Sequence, residues 1–173
     1  MGFYDKEAAL MRVIDNYSNM MLRTACIMVK DYNLAEDITQ EALIKFYYNL
    51  DSYRAEASIK TYLFRILINE CRQAMRKSWF RHVVANDKID GFRAIEGEME
   101  DLVEKMDLVQ SILKLEPIYR EVIILHYYND LPIREISSVL KKSEGTIKSR
   151  LKRGRDKLRA IVGEAVLLDQ EQE

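Results

Sequence analysis

The sequence predicts an all-α protein: two small helical domains, an N-terminal helical bundle and a C-terminal helix-turn-helix, joined by an acidic flexible linker. Three observations carry that expectation. Apolar residues recur at helical spacing along nearly the whole chain, and no sustained alternating pattern suggests a strand. Only Pro117 and Pro132 interrupt the 173 residues, each where a helix can begin. Charge is segregated beneath a formal net of −1. Lys60–Arg81 holds six basic residues against Glu70, Asp87–Asp107 holds eight acids against three bases, and Lys141–Arg159 holds nine bases against two acids. Two basic patches around an acidic stretch suit a polyanionic partner touched at two places.

In chain order, the spacing predicts helices over 5–29, 33–50, 58–79, 100–114, 117–129, 132–141 and 144–162. Residues 82–99 lack a sustained apolar stripe and contain Gly91, Gly97 and many acids, so the linker is placed at 82–105, between domains at 1–81 and 106–173. Glu164–Glu173 reads as a frayed tail. Apolar runs such as Val122–Leu125 fall far short of the ~20 residues of a membrane span. No apolar stretch follows Met1, and Cys26 and Cys71 make neither a disulfide framework nor a zinc site. A soluble cytoplasmic chain is expected.

Enzyme classes find little support. His82 and His126 are the only histidines, and no Ser–His–Asp order, phosphate-binding glycine loop or metal-ligand spacing occurs. The eight methionines are spread as core filling. Cys26 and Cys71 lie on apolar stripes as buried thiols, and Trp79 is expected to cap a core. No cofactor or metal is expected.

The sharpest chemistry lies near the C-terminus. After Pro132, Ile133, Ile136, Val139 and Leu140 recur at core spacing. A turn at Lys141–Lys142 leads to Ser143 as N-cap, with Glu144 in the first turn at the positive end of the dipole. Ile147, Leu151, Gly154, Leu158 and Ile161 or Val162 then form one stripe, opposite Lys148, Ser149, Lys152, Arg153 and Asp156. Helix, short turn and basic second helix is the geometry that enters a DNA major groove. The alternative is a basic solvated helix on an ordinary bundle.

Leu115-Glu-Pro-Ile-Tyr-Arg-Glu-Val122, Leu131-Pro-Ile-Arg-Glu-Ile136 and Ser143-Glu-Gly-Thr-Ile-Lys-Ser-Arg-Leu-Lys-Arg-Gly-Arg-Asp-Lys-Leu158 together resemble region four of the extracytoplasmic-function (ECF) sigma factors of bacterial RNA polymerase. The resemblance implies minus-thirty-five contacts from Thr146, Lys148, Ser149, Arg150, Lys152 and Arg153. Lys141 and Lys142 stand where the family usually has glycine and an apolar residue, so a left-handed glycine conformation is not assured there and the turn is open to lengthening or distortion.

In the N-terminal half, the helix from Asn33 carries Leu34, Ala35, Ile38, Ala42, Phe46 and Leu50 on one stripe. Asp37, Gln40, Ile44, Tyr47 and Tyr48 project from another face, mixing polar groups with apolar anchors as interfaces do. A second packing surface inside the bundle is the alternative. Ala35-Glu-Asp-Ile-Thr-Gln-Glu-Ala42 resembles the sigma region-two docking motif, which implies that Asp37, Gln40, Glu41, Ile44 and Tyr47 meet the clamp coiled coil of the largest polymerase subunit.

The next helix buries Leu63, Leu67, Ile68, Cys71, Ala74 and Met75, and opposite lie Tyr62, Arg65, Asn69, Arg72 and Arg76. Guanidinium groups follow phosphates, an aromatic ring stacks a base and an amide reads a base edge, which suits unpaired nucleic acid. The alternative is a solvated basic face. Tyr53-Arg54 followed by Ser58-Ile-Lys-Thr-Tyr-Leu-Phe-Arg-Ile66 resembles the family's minus-ten segment. It implies recognition and melting by Tyr53, Arg54, Ser58, Lys60, Tyr62, Arg65, Asn69, Arg72 and Arg76.

Promoter DNA, duplex and single-stranded, core polymerase and an anti-sigma factor, free or membrane-anchored, are the partners this resemblance implies. Two other classes share the C-terminal features: a helix-turn-helix regulator that binds operators without polymerase, and a helical adaptor for acidic proteins.

Overall fold

A computed structural model describes residues 3–53, 57–82 and 106–170 and is helical throughout its ordered elements. Helix α1 (Phe3–Val29) stops at Lys30, whose left-handed φ of 61° lets its N–H return to the Cys26 carbonyl at 2.8 Å. The Asp31 carboxylate then caps α2 (Tyr32–Asn49), accepting from the Leu34 N–H at 3.0 Å. A 3-10 turn (Leu50–Ser52) follows, and Ser58 caps α3 (Ile59–His82) by accepting from the Thr61 N–H at 3.1 Å.

The C-terminal half contains α4 (Met106–Lys114), α5 (Pro117–Ile123), α6 (Ile133–Leu140) and α7 (Glu144–Gln170). Pro117 stands at the start of α5 as expected, whereas Pro132 is the extended residue just before α6. The single helix expected over 117–129 instead widens into a π-turn at Ile124–Tyr128, closed by the Asn129 N–H on the Ile124 carbonyl at 3.0 Å. Helix α7 continues to Gln170, beyond the predicted end at 162, through the good helix formers Glu164, Ala165, Leu167 and Leu168. Of the linker placed at 82–105, His82 belongs to α3, and residues 83–105 lie outside the described residues, as do Arg54 and the side chain of Trp79.

The turn between α6 and α7 is short, as the helix, short turn, helix reading expects, and is not lengthened by the missing glycine. Lys141 adopts the left-handed conformation (φ 52°, ψ 49°) that a glycine would hold more cheaply, and its N–H reaches the Ser137 carbonyl. The Lys142 N–H returns to that same carbonyl at 3.1 Å, so two backbone bonds offset a left-handed cost of about 1–2 kcal/mol. At Gly154 the constraint is spatial. An added Cβ would lie 3.1 Å from Ile123 Cγ1, so α5 and α7 pack tightly here and any side chain requires Ile123 to shift.

The stripes predicted from spacing are largely the buried ones. Ala35, Ile38, Ala42, Phe46, Leu63, Leu67, Ile68 and Cys71 fill the N-terminal bundle, while Leu125, Ile136, Leu140, Ile147 and Leu151 fill the C-terminal one. Leu34, Ala74, Met75 and Leu158 are half-buried at the edges. Each fully buried Leu or Phe contributes roughly 1.5–3 kcal/mol. The two bundles do not hang apart. Their apolar residues merge into one cluster, α3 lies along α6, and α1 meets α4 and α5.

Candidate nucleic-acid and polymerase interfaces

The outer face of α2 is open. Asp37, Gln40 and Glu41 are exposed, Ile44 is 49% and Tyr48 76% exposed, and Tyr47 sits half-buried with its ring edge against Tyr48. This face is therefore not a second packing surface of the bundle. Large apolar groups held in solvent within a polar rim are what a docking surface offers.

The face of α3 is different. Tyr62 is half-buried, its ring 5.1 Å from Tyr53 and 6.1 Å from Phe46. Tyr53 donates its hydroxyl to the Ala57 carbonyl, and burial pushes its phenol above the ordinary range. Ser58 is exposed, Lys60 and Asn69 are half-buried and Arg76 is exposed. Arg65 and Arg72, expected to face solvent or nucleic acid, are covered by the C-terminal bundle. Arg65 donates to Ser138 Oγ on α6, while its Nε is buried without a hydrogen-bond partner among the described residues. Arg72 grips Glu121 of α5 with both arms, Nε to Oε2 at 3.1 Å and Nη2 to Oε1 at 2.9 Å. Periodicity ranked this face correctly as polar but could not tell solvent from a protein partner.

On α7, Ser143 caps the helix as expected, accepting from the Thr146 N–H at 3.2 Å and pairing with the half-buried Thr146 hydroxyl at 2.9 Å. Lys148, Ser149, Lys152 and Arg153 are exposed along the outer face. Arg150 is turned inward, its Nη1 3.0 Å from Glu121 Oε1. One carboxylate thus bridges the two predicted DNA-binding helices. The Glu121 side chain is 4% exposed, and burial pushes its carboxyl above the usual range although Arg72 and Arg150 pull it down.

Sequence reasoning missed the residues that join the bundles. Arg120, 4% exposed, donates to the carbonyls of Ile27 (3.0 Å) and Met28 (3.2 Å) at the end of α1 and to that of Leu115 (3.1 Å). A cation at a helix C-terminus complements the dipole, and three carbonyls take the place of a counterion. Glu135 on α6 accepts from Thr61 and, at 3.4 Å, from Ser58 at the start of α3. His126, expected at a core boundary, is half-buried with Nδ1 3.1 Å from the Leu131 carbonyl. The available signal was Arg120-Glu121 interrupting the apolar run from Ile118 to Leu125.

An all-helical chain with an open apolar-acidic face on one bundle and a capped basic helix on the other has the layout of a sigma-70-type factor. Residues 13–81 match the family described as Sigma-70 region 2, and residues 105–158 that described as Sigma-70, region 4. The chain is 30% identical over 164 residues to the ECF RNA polymerase sigma factor SigW of Bacillus subtilis (strain 168), with 85% of each chain covered. It is also 30% identical over 152 residues to SigM of the same organism, covering 87% of this chain and 93% of that one. The sigma factor RpoE solved in complex with the anti-sigma factor NepR, from Bartonella quintana, superposes with a TM-score of 0.73 at 23% identity, over 92% of this chain and 97% of that one. CnrH, solved with the cytosolic domain of CnrY, gives 0.68 at 20% identity, over 91% and 90%. The chain belongs to the ECF sigma factors of bacterial RNA polymerase.

Proposed function

We propose that this sigma factor is a promoter-reading subunit with separate surfaces for polymerase, opened DNA and duplex DNA. In this reading 1–81 is the docking and melting unit and 106–173 the upstream reader. Asp37, Gln40, Glu41, Ile44 and Tyr47 meet the clamp coiled coil of the largest polymerase subunit. The exposure of the α2 face, with Ile44 and Tyr48 in solvent, carries this assignment.

Thr146, Lys148, Ser149, Arg150, Lys152 and Arg153 take the minus-thirty-five element as duplex. Helix α7 has the length for this: its capped N-terminal half offers Lys148, Ser149 and Lys152 to base edges and Arg153 to phosphates. Tyr53, Arg54, Ser58, Lys60, Tyr62, Arg65, Asn69, Arg72 and Arg76 take the minus-ten element. The paired rings of Tyr53 and Tyr62 suit stacking on an unpaired base. Tethering makes the second DNA contact intramolecular, so neither needs to be tight alone, and binding falls steeply with salt.

The chain supplies no reacting group of its own and acts in the cytoplasm beside polymerase. An anti-sigma factor, membrane-anchored or free, is the expected control; RpoE is solved in complex with the anti-sigma factor NepR. Run-off transcription with core polymerase tests the reading. Added protein creates new start sites if it holds. No new start, together with operator binding by the protein alone, favours the polymerase-independent regulator.

A further inference from the structure

An open cleft of about 590 Å³ lies where α3, α5 and the start of α7 meet, a volume within the range of small-molecule sites. Four cations line it: Arg72 and Arg76 from α3, Lys142 from the turn before α7, and Arg150 from α7. The only acid among its lining residues is Glu121, whose carboxylate Arg72 and Arg150 already share at 2.8–3.1 Å. Arg76 and Lys142 form no ion pair among the described residues. One carboxylate therefore leaves a clear surplus of positive charge, and a concave wall of one sign concentrates its field on an incoming anion.

The cations are within reach of a ligand. Arg76 and Lys142 are exposed, and the Arg72 and Arg150 side chains keep 29% and 21% of their surface in solvent. Arg150 commits only Nη1 to Glu121, which leaves the rest of its fork for a second acceptor. The remaining wall is apolar, made by Met75, Pro117 and Ile118, with Ile118 43% exposed. Beside it the half-buried Asn69 supplies a carboxamide that both donates and accepts.

We propose that this cleft is a binding site for a nucleoside di- or triphosphate, with the phosphates on Arg76, Lys142 and Arg150 and the base on the Met75–Pro117–Ile118 wall beside Asn69. Guanidinium forks match phosphate oxygens in pairs, and an ammonium adds a point charge. A flat base covers apolar side chains that inorganic phosphate would leave in water, and an amide beside it can read a base edge. The site goes beyond the promoter-reading surfaces. A DNA strand laid along α3 meets Asn69, Arg72 and Arg76 but has no use for Lys142, Pro117 or Ile118, which the C-terminal half contributes. The nucleotide needs both walls.

The test is isothermal titration calorimetry of the full-length chain with ADP and GDP as probes, and with pyrophosphate and adenosine as the separated halves of the ligand. Both halves are expected to bind at least about tenfold more weakly than the better nucleotide. Lys142→Gln, at an exposed position, should weaken nucleotide and pyrophosphate alike by about tenfold, the loss of one charge-assisted contact. Ile118→Ser should weaken the nucleotide and leave pyrophosphate unchanged. The exposed Lys114→Gln, outside the cleft, removes the same charge and should stay within about twofold of wild type. Anisotropy of fluorescein-labelled decathymidylate should likewise change less than about twofold in Lys142→Gln. Circular dichroism confirms that each variant is folded. Saturable binding of neither nucleotide, or wild-type affinity in Lys142→Gln, overturns the site. Pyrophosphate binding as tightly as ADP and GDP overturns the nucleotide assignment, since the base then contributes nothing. Equal losses in Lys114→Gln reduce the effect to overall charge, and a tenfold loss of decathymidylate in Lys142→Gln makes the cleft part of the DNA surface; either result overturns a separate nucleotide site.

Discussion

Thr24 and Asn129, 105 residues apart in the chain, are both fully buried, and Asn129 Nδ2 donates to Thr24 Oγ1 at 2.9 Å. The threonine hydroxyl gives its own proton to the Met20 carbonyl at 2.7 Å, so it accepts from Asn129 with its proton already committed. This pair stitches α1 to the end of the π-turn. Asn129→Ala and Thr24→Val should each cost about 1–3 kcal/mol in urea denaturation, because each leaves a buried polar partner behind. The double variant should cost clearly less than the two losses added together. Strict additivity would mean that the two side chains do not interact.

Arg120 is the stronger joint. Replacing it with Leu removes three donated bonds from carbonyls at two helix ends, and about 3 kcal/mol or more of stability is expected to go with them. Arg120→Lys should recover little. A single ammonium cannot span the Ile27, Met28 and Leu115 carbonyls as a planar fork does. Thermal unfolding followed by circular dichroism checks both variants, and full recovery by Lys would reduce the role of Arg120 to charge alone.

Burial, with the nearby charge of Asp31 adding to it for Cys26, pushes both thiols up to about 12. The sign of the pH effect follows from which state holds the proton longer. The folded chain keeps each thiol protonated where the unfolded chain ionises, so this contribution to stability is complete below the ordinary thiol value of 9.0 and is lost as pH rises from there toward 12. At pH 8 (a condition near which stability should be flat for this group) Ellman's reagent should label neither cysteine in the native chain, and both in guanidinium chloride. Rapid native labelling of either would contradict the burial.

Tyr62 joins the proposed reading surface to the core. Tyr62→Ala should reduce promoter opening, read as permanganate reactivity of promoter thymines, by roughly tenfold while leaving polymerase capture unchanged; stacking on one base is worth about 1–3 kcal/mol. Tyr62→Phe retains a stacking face and the contacts with Phe46 and Tyr53, so it should open promoters nearly as well. Lys152→Ala should change upstream base preference, whereas Arg153→Ala should weaken all promoters alike. Equal opening by Tyr62→Ala and wild type would remove Tyr62 from the melting surface.

Helix positions, the Ser143 cap and the outward face of α2 were legible from the amino-acid order because they depend on neighbours within a turn or two. Apolar spacing decides which side of a helix is buried, and a hydroxyl before an amphipathic run decides where it starts. The family resemblance came from the same local patterns. The partner of a polar face was beyond that reach. Arg65 and Arg72 have the spacing of solvent-facing groups and Arg150 is implied by the resemblance alone; the packing of α5 and α6 against α3, and of α7 against α5, turned them into internal ligands of Ser138 and Glu121. The short turn was legible, but the left-handed conformation of Lys141 was not: propensity favours glycine there, and two backbone bonds to Ser137 offset the preference. Local chemistry determined the helices and their faces. Contacts between residues far apart in the chain, whose energies no short window contains, decided which of those faces are open.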